Sequence, residues 1–263
     1  MELVNETTVA GTRVIEMAHP TGSNPFGVEL EDQVKAALRR AETDASVKAV
    51  VMTGGVGRSF SAGGDFNEVK NLSGGDDVDR WIDRVTDLYV HALRVDKPTV
   101  AAIDKYAIGM GFQFALMFDQ RVLTEGAEFR MPELKHGIGC SVGAAILSAL
   151  VSRNVARQIV LTAQTIGAAK ALEYGIANEI VALPILIERA LALAAEMASY
   201  PEVAFRNTKR SLVAPLIKTL LETAEESKRV HRAAFAARAM QTHFRRVLGD
   251  AKYVAGQTAE SDG

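Results

Sequence analysis

Apolar and polar positions alternate over residues 7–18 around Gly11-Thr12, a pattern of one or two strands that ends at His19-Pro20. The period changes over residues 29–41, where Leu30, Val34, Ala37, Leu38 and Ala41 recur at helical spacing. Residues 47–53 are a short apolar run closed by Gly54-Gly55, which predicts a buried strand. Strand, helix and strand in that order form a parallel crossover unit, and ligands collect at the ends of such strands. A polar linker at 73–77 precedes a predicted helix over 78–93, with Trp81, Val85, Leu88, Tyr89 and Ala92 on one stripe. A buried strand follows at 98–104, and short strands at 119–123 and 128–130. Residues 141–151 predict a helix of small residues capped by Ser141. Helices at 156–162 and 168–174 and a strand at 176–181 come next. From Pro184 onward the pattern is helical throughout, over 184–199, 201–213 and about 217–248. The expected division is an α/β core over 1–182 and a helical region over 183–263, with a polar, disordered end at 257–263.

Two strand ends lead into glycine turns. Residues 47–53 lead to Phe60-Ser61-Ala62-Gly63-Gly64-Asp65, and a helix is expected from about Asp65, with its acids early as the helix dipole favours. Residues 98–104 lead to Gly109-Met110-Gly111 and an apolar helix. The first amides of a helix lack internal partners and carry partial positive charge, so such a turn can hold an anion. The spacing alone fits a tight turn without a ligand equally well. No Gly-Lys-Ser/Thr follows, so it is not a P-loop. It is not GxGxxG either, because Phe114 occupies the third glycine position. Two turns that each aim one N–H at the same point would make an oxyanion hole.

Composition narrows the partners. The chain has 263 residues, 48% of them hydrophobic, enough for one sizeable core. A net charge of −2 implies no basic surface, and nucleic acid is not the expected partner. The single cysteine, Cys140, excludes an internal disulfide framework and a cysteine zinc cluster, and fits a reducing cytoplasm. It reads as a buried small hydrophobe. The N-terminus lacks the cationic start and apolar core of a signal peptide, and no run of eighteen apolar residues predicts a membrane span.

Among polar residues, Glu133 follows Met131-Pro132 after a predicted strand. It reads either as a general base in a dry site or as an exposed carboxylate or cap. Gln113 lies one helical turn after Met110. Its amide can orient a substrate but cannot take a proton. His136 is a possible partner for Glu133. His231 reads as a polar face residue of the final helix, and His19, His91 and His243 show no cluster. Without HxH or HExxH spacing, no metal site is expected. Trp81 reads as a packing residue.

Taken together, these stretches resemble the crotonase (enoyl-CoA hydratase/isomerase) superfamily over about residues 10–250. They are Asn24-Pro25-Phe26, the two glycine turns, Lys97-Pro98-Thr99 leading to the second turn, Asp119 and Met131-Pro132-Glu133. The resemblance implies an α/β spiral of ββα units with a C-terminal helical trimerisation domain, assembled as a homotrimer or a dimer of trimers. It implies a coenzyme A thioester as substrate, no separate cofactor, and a thioester oxygen held by the N–H groups of Gly64 and Met110. The backbone of Ala62, Gly64 and Asp65 and the Phe26 loop are expected to hold coenzyme A. Hydratases of the superfamily use two glutamates, whose positions fall on Gln113 and Glu133, so simple hydration is disfavoured. Gly-Met-Gly-Phe-Gln, Met-Pro-Glu-Leu-Lys-His-Gly, Trp81 and His231 are similar to the carboxymethylproline-forming branch of carbapenem biosynthesis. That branch decarboxylates malonyl-CoA to an enolate, joins it to pyrroline-5-carboxylate and hydrolyses the thioester. Here Glu133 would serve hydrolysis, while Trp81, Gln113 and His231 would shape the substrate pocket. The alternatives are another acyl-CoA decarboxylase, thioesterase or hydratase of the fold, and a non-catalytic coenzyme A- or RNA-binding member.

Overall fold

The computed structural model describes residues 1–236 and 239–249. The disordered end expected at 257–263 lies outside them. Strands β1 (Val4–Val9) and β2 (Thr12–Met17) form an antiparallel hairpin through Ala10 and Gly11, both at positive φ. Helix α1 (Val28–Thr43) crosses to β3 (Ala49–Thr53), which pairs parallel with β2. Two helices, α2 (Phe66–Val69) and α3 (Asp76–Leu93), precede β4 (Thr99–Ile103). Next come β5 (Tyr106–Ile108), α4 (Met110–Ala115), β6 (Gln120–Thr124) and β7 (Glu128–Arg130). A 3₁₀ turn, Glu133–His136, leads to α5 (Ser141–Leu150) and α6 (Arg153–Thr162). The chain continues through β8 (Ile166–Gly167), α7 (Ala168–Glu173), β9 (Glu179–Val181), α8 (Leu186–Ala198), α9 (Glu202–Ala236) and α10 (Ala239–Val247).

Six strands form the main sheet in the order β1-β2-β3-β4-β6-β9, parallel except for the first hairpin. A second sheet, β5-β7-β8, lies at the strand ends that carry the glycine turns. The two-residue period of the strands decides both faces. Ala49, Val51, Val100, Ala102 and Val122 point to one face and pack against Leu186, Ala190 and Ala194 of α8. Val50, Met52, Ala101, Ile103 and Leu123 point to the other and join the main core with α1, α3 and α4. Strands buried on both faces read as unbroken apolar runs, as these do. Asp119 accepts from the Thr99 N–H (2.8 Å) and from Lys209 Nζ (2.7 Å), a buried tie between the sheet and α9.

The structure corrects several expectations. The last helical stretch does not break at Pro215, and α9 runs through it from Glu202 to Ala236. A proline in a helix interior costs about 3 kcal/mol through its missing N–H and the clash of its ring with the preceding turn, and the long contact of α9 with α3 and α5 holds the helix through it. Ser141 is the first residue of α5 rather than its cap, and its hydroxyl is buried without a partner. Strands β5 and β8, with three and two residues, were not expected from the pattern. They are too short for a period to show. Among the described residues no helix is long and apolar enough to cross a membrane.

Candidate active site

The two glycine turns meet because Ser61 pairs with the β5 segment. Its N–H donates to Tyr106 O (3.1 Å), and the Ile108 N–H donates back to Ser61 O (2.9 Å). Asn24 fixes the approach to the first turn by donating from Nδ2 to the carbonyls of Ser59 (2.8 Å) and Gly54 (3.1 Å). The closeness of the turns demands glycine. A Cβ on Gly111 would stand 2.5 Å from Ser61 O, and one on Gly63, at φ +97°, would stand 2.8 Å from Ile108 O. The groups flanking Gly64 are used up: Phe26 N–H donates to Gly63 O (2.7 Å), and Asp65 N–H to Phe26 O (2.8 Å). The N–H groups of Gly64 and Met110 find no acceptor among the described residues. Both residues line a cavity of about 300 Å³. Two neighbouring unpaired donors at one cavity wall can stabilise an oxyanion.

Glu133 reaches the same cavity from β7. The β5–β7 pairing sets Ile108 beside Arg130, and the Gly109 N–H donates to Arg130 O (2.8 Å). The chain then turns at Pro132 and delivers Glu133 next to Gly109, whose Cβ, if present, would be 3.4 Å from Glu133 Oε1. Gln113 Nε2 donates to Glu133 Oε1 at 2.7 Å, and the Tyr89 hydroxyl donates to Gln113 Oε1 at 3.2 Å. Glu133 Oε2 is buried without a hydrogen-bond partner. Burial therefore pushes the Glu133 carboxyl up to about 7, against a smaller downward pull from its own backbone N–H, Gln113 and Cys140. A carboxylate balanced near neutrality can take and return a proton. It is the only Asp or Glu among the described residues lining this cavity.

The opposite wall comes from α3 and α9. Trp81 stands edge-on to His231 (centroids 6.1 Å apart) and to Phe235 (5.8 Å). His231 is 2% exposed. Its Nε2 lies 3.0 Å from Gly139 O, and its Nδ1 lies 2.7 Å from Ser227 O and 3.1 Å from Ser227 Oγ. Both ring nitrogens are thus engaged by the chain, and the imidazole ties α9 to the segment before α5. Cys140 is buried beside Glu133, and burial raises its thiol well above the ordinary range, which leaves it un-ionised.

The structure brings Ala62, Gly64, Trp81, Met110, Gln113, Glu133 and His231 to one cavity. Phe26 and Asp65 are placed otherwise. The Phe26 ring is in the core against Phe114 (5.2 Å), and Asp65 caps α2 by accepting from the Asn67 N–H (2.8 Å). His136 partners His243, with Nδ1 3.0 Å from Nε2, so His243 is not isolated as the sequence suggested. Tyr89 and Ser227 were missed as site residues. Tyr89 shows only as a helix-stripe residue, although a buried tyrosine on the stripe of Trp81 signals a hydroxyl in need of a partner. Among the described residues no three His, Cys, Asp or Glu side chains gather as metal ligands would.

The fold, the facing glycine turns and the buried glutamate define an acyl-CoA enzyme class. Residues 7–250 match the enoyl-CoA hydratase/isomerase family, and the chain belongs to it. A carboxymethylproline synthase from Pectobacterium carotovorum subsp. carotovorum is 53% identical over 247 residues, covering 94% of this chain and 99% of that one. Among solved structures, ThnE from S. clavuligerus has a TM-score of 0.75 at 34% identity, covering 86% of this chain and 99% of its own. An enoyl-CoA hydratase/isomerase from Xanthobacter autotrophicus Py2 has a TM-score of 0.85 at 26% identity, covering 100% and 99%.

Proposed function

We propose that the chain is a carboxymethylproline synthase acting on malonyl-CoA and pyrroline-5-carboxylate. The observation that carries this reading is the pairing of Gln113 with Glu133 in a cavity that holds one carboxylate among the described residues. Adding water to a double bond calls for an acid and a base, and Gln113 supplies neither. Decarboxylation needs no base at the α-carbon. The C–C bond to the malonyl carboxylate breaks, CO₂ leaves, and the electron pair moves to the thioester oxygen, held by the Gly64 and Met110 N–H groups. Loss of one such donor costs about 3 kcal/mol of transition-state stabilisation. Apolar walls from Trp81, Ile82, Val85 and Val142 favour this step, since they solvate the departing carboxylate poorly. The enolate carbon then attacks the imine carbon of pyrroline-5-carboxylate, and the ring nitrogen takes the electron pair and a proton from solvent. Glu133 finally takes a proton from water as it adds to the thioester and gives it to the coenzyme A sulfur as the C–S bond breaks. Ala62, Gly64 and the backbone about Phe26 and Asp65 hold the coenzyme A end, while Trp81 and His231 bound the imino-acid end.

The relative at 53% identity bears the name of this activity. The test is incubation of purified protein with malonyl-CoA, with and without pyrroline-5-carboxylate, and mass spectrometry of the products. Carboxymethylproline is expected only with both substrates. Coenzyme A release without it would replace this reading by a plain decarboxylase or thioesterase.

A further inference from the structure

Tyr89 takes no part in the steps above, yet among the described residues it is the largest side chain with no exposure, set on α3 with Trp81 and Val85. A buried phenol needs a hydrogen-bond partner. Its O–H has two acceptors within reach, Gln113 Oε1 at 3.2 Å and Met110 O at 3.4 Å. The far end of the same amide, Gln113 Nε2, donates to Glu133 Oε1 at 2.7 Å. An amide side chain has one accepting end and one donating end, whereas an ionised carboxylate only accepts. The orientation of Gln113 is therefore decided by what stands at its two ends. We propose that Tyr89 is a positioning residue for the hydrolytic step: its O–H, donated to Gln113 Oε1, holds the amide with its NH₂ toward Glu133 and keeps that carboxylate ready to accept a proton. This rests on the reading of Glu133 as the hydrolytic base.

The same three groups also fit the protonated state. Once Glu133 has taken a proton it becomes a donor. The amide turns over, Oε1 accepts from the carboxyl O–H, Nε2 donates to the Tyr89 oxygen, and the Tyr89 O–H swings to the Met110 carbonyl. No proton leaves its residue in this exchange; only donor and acceptor ends change places. Without the hydroxyl, the orientation is set from the Glu133 end alone and the amide is held less firmly. Space for the amide is kept by Gly143, where a Cβ would stand 3.1 Å from Gln113 Nε2 and 3.0 Å from Met131 Sδ. Among the described residues the other titratable or charged groups lining the cavity with Glu133 are the Cys140 thiol at the start of α5, His136 on its own turn, His231 across the cavity on α9 and Arg130 on β7, which donates from Nε to Thr165 Oγ1 (3.0 Å). The two histidines are engaged elsewhere. Among the described residues Gln113 is the one side chain that gives Glu133 an N–H or O–H hydrogen bond.

The test reads Glu133 directly by NMR titration of protein labelled with ¹³C-carboxyl glutamate. Losing an ordered donor disfavours the charged carboxylate, so Tyr89→Phe should raise the Glu133 midpoint by about one pH unit. Gln113→Leu should raise it at least as far, and adding Tyr89→Phe to Gln113→Leu should move it no further. In Tyr89→Phe the pH of half-maximal carboxymethylproline release should rise with the midpoint, while KM for malonyl-CoA stays put. An unchanged midpoint in folded Tyr89→Phe would overturn the proposal. Should that variant not fold, the wild type decides: the Gln113 side-chain ¹⁵N resonance must follow the Glu133 titration, and one that ignores it overturns the proposal equally. Failure of the underlying reading looks different, since a wild type that makes no carboxymethylproline removes the hydrolytic step while the titrations remain as measured.

Discussion

Glu133 answers to two opposed demands. Catalysis needs it ionised, and the dry wall that holds it disfavours the charge, which leaves its carboxyl near 7 instead of the ordinary 4.5. Hydrolysis should accordingly rise with pH through about 7, and the same group should weaken the fold over the same range. The folded state holds the proton more tightly than the unfolded one, so the stability that Glu133 contributes is complete below about 4.5. It falls as pH rises through about 7. Glu133→Gln removes the charge at constant volume. Its melting temperature should exceed that of the wild type at pH 8.5, with the gap closing by about pH 5; parallel curves in a thermal scan across pH would contradict a buried ionised Glu133. Glu133→Ala separates the chemistry. Release of free carboxymethylproline should vanish while part of the malonyl-CoA decarboxylation survives. Equal loss of both, measured by product and CO₂ assays, would give Glu133 an earlier role.

At the scale of elements, much was legible because the chemistry of the site sits on short-range pattern. The strands that became β3 and β4 read as apolar runs, and each led into a glycine turn, the pair of turns together suggesting convergent N–H groups. Gln113 was placed correctly beside the second turn because one helical turn separates it from Met110. What stayed hidden depends on distance along the chain. His136 meets His243 across 107 positions, and no local pattern announces it. Strand β5, which brings the two turns together, has no period to read. The tie between α1 and α3 was equally invisible. Arg84 Nε donates to Glu31 Oε2 (2.8 Å) and its Nη2 to Glu68 Oε2 (3.2 Å), while Glu68 accepts the Val28 N–H at the start of α1 (2.9 Å). Glu31 has no exposure, and burial lifts it to about 7 although Arg84 pulls it down. Arg84→Met leaves a buried carboxylate without its cation and should destabilise the protein by about 3 kcal/mol at pH 8. The loss should shrink at pH 5, where Glu31 is neutral. Urea unfolding midpoints at the two pH values check this, and a loss independent of pH would assign the effect to lost packing.

On the scale of the whole molecule, the helices after β9 have two different tasks. Helix α8 closes one sheet face through Leu186, Ala190 and Ala194, and the inner side of α9 lies along α3 and α5, where it supplies His231 to the cavity. Among the described residues the outer side of α9 has no such cover. Leu212 is 74% exposed, and it borders a groove of about 480 Å³ with Met117, Phe118, Leu150 and Leu216. Apolar surface gathered in this way marks an interface more often than bare surface, and a net charge of −2 sets little repulsion against a second copy. Helices α8, α9 and α10 are therefore proposed as the oligomerisation elements of the region over 183–263, in a trimer or a dimer of trimers. Sedimentation equilibrium should give a multiple of three chains, and Leu212→Asp should lower the mass, since a carboxylate cannot be buried unpaired in an apolar contact. An unchanged mass would move the interface elsewhere. Gly64, Met110 and Glu133 line one cavity within the chain, so the dissociated variant should keep the decarboxylation step. A rise in KM for malonyl-CoA alone would then place part of the coenzyme A site on a neighbouring subunit.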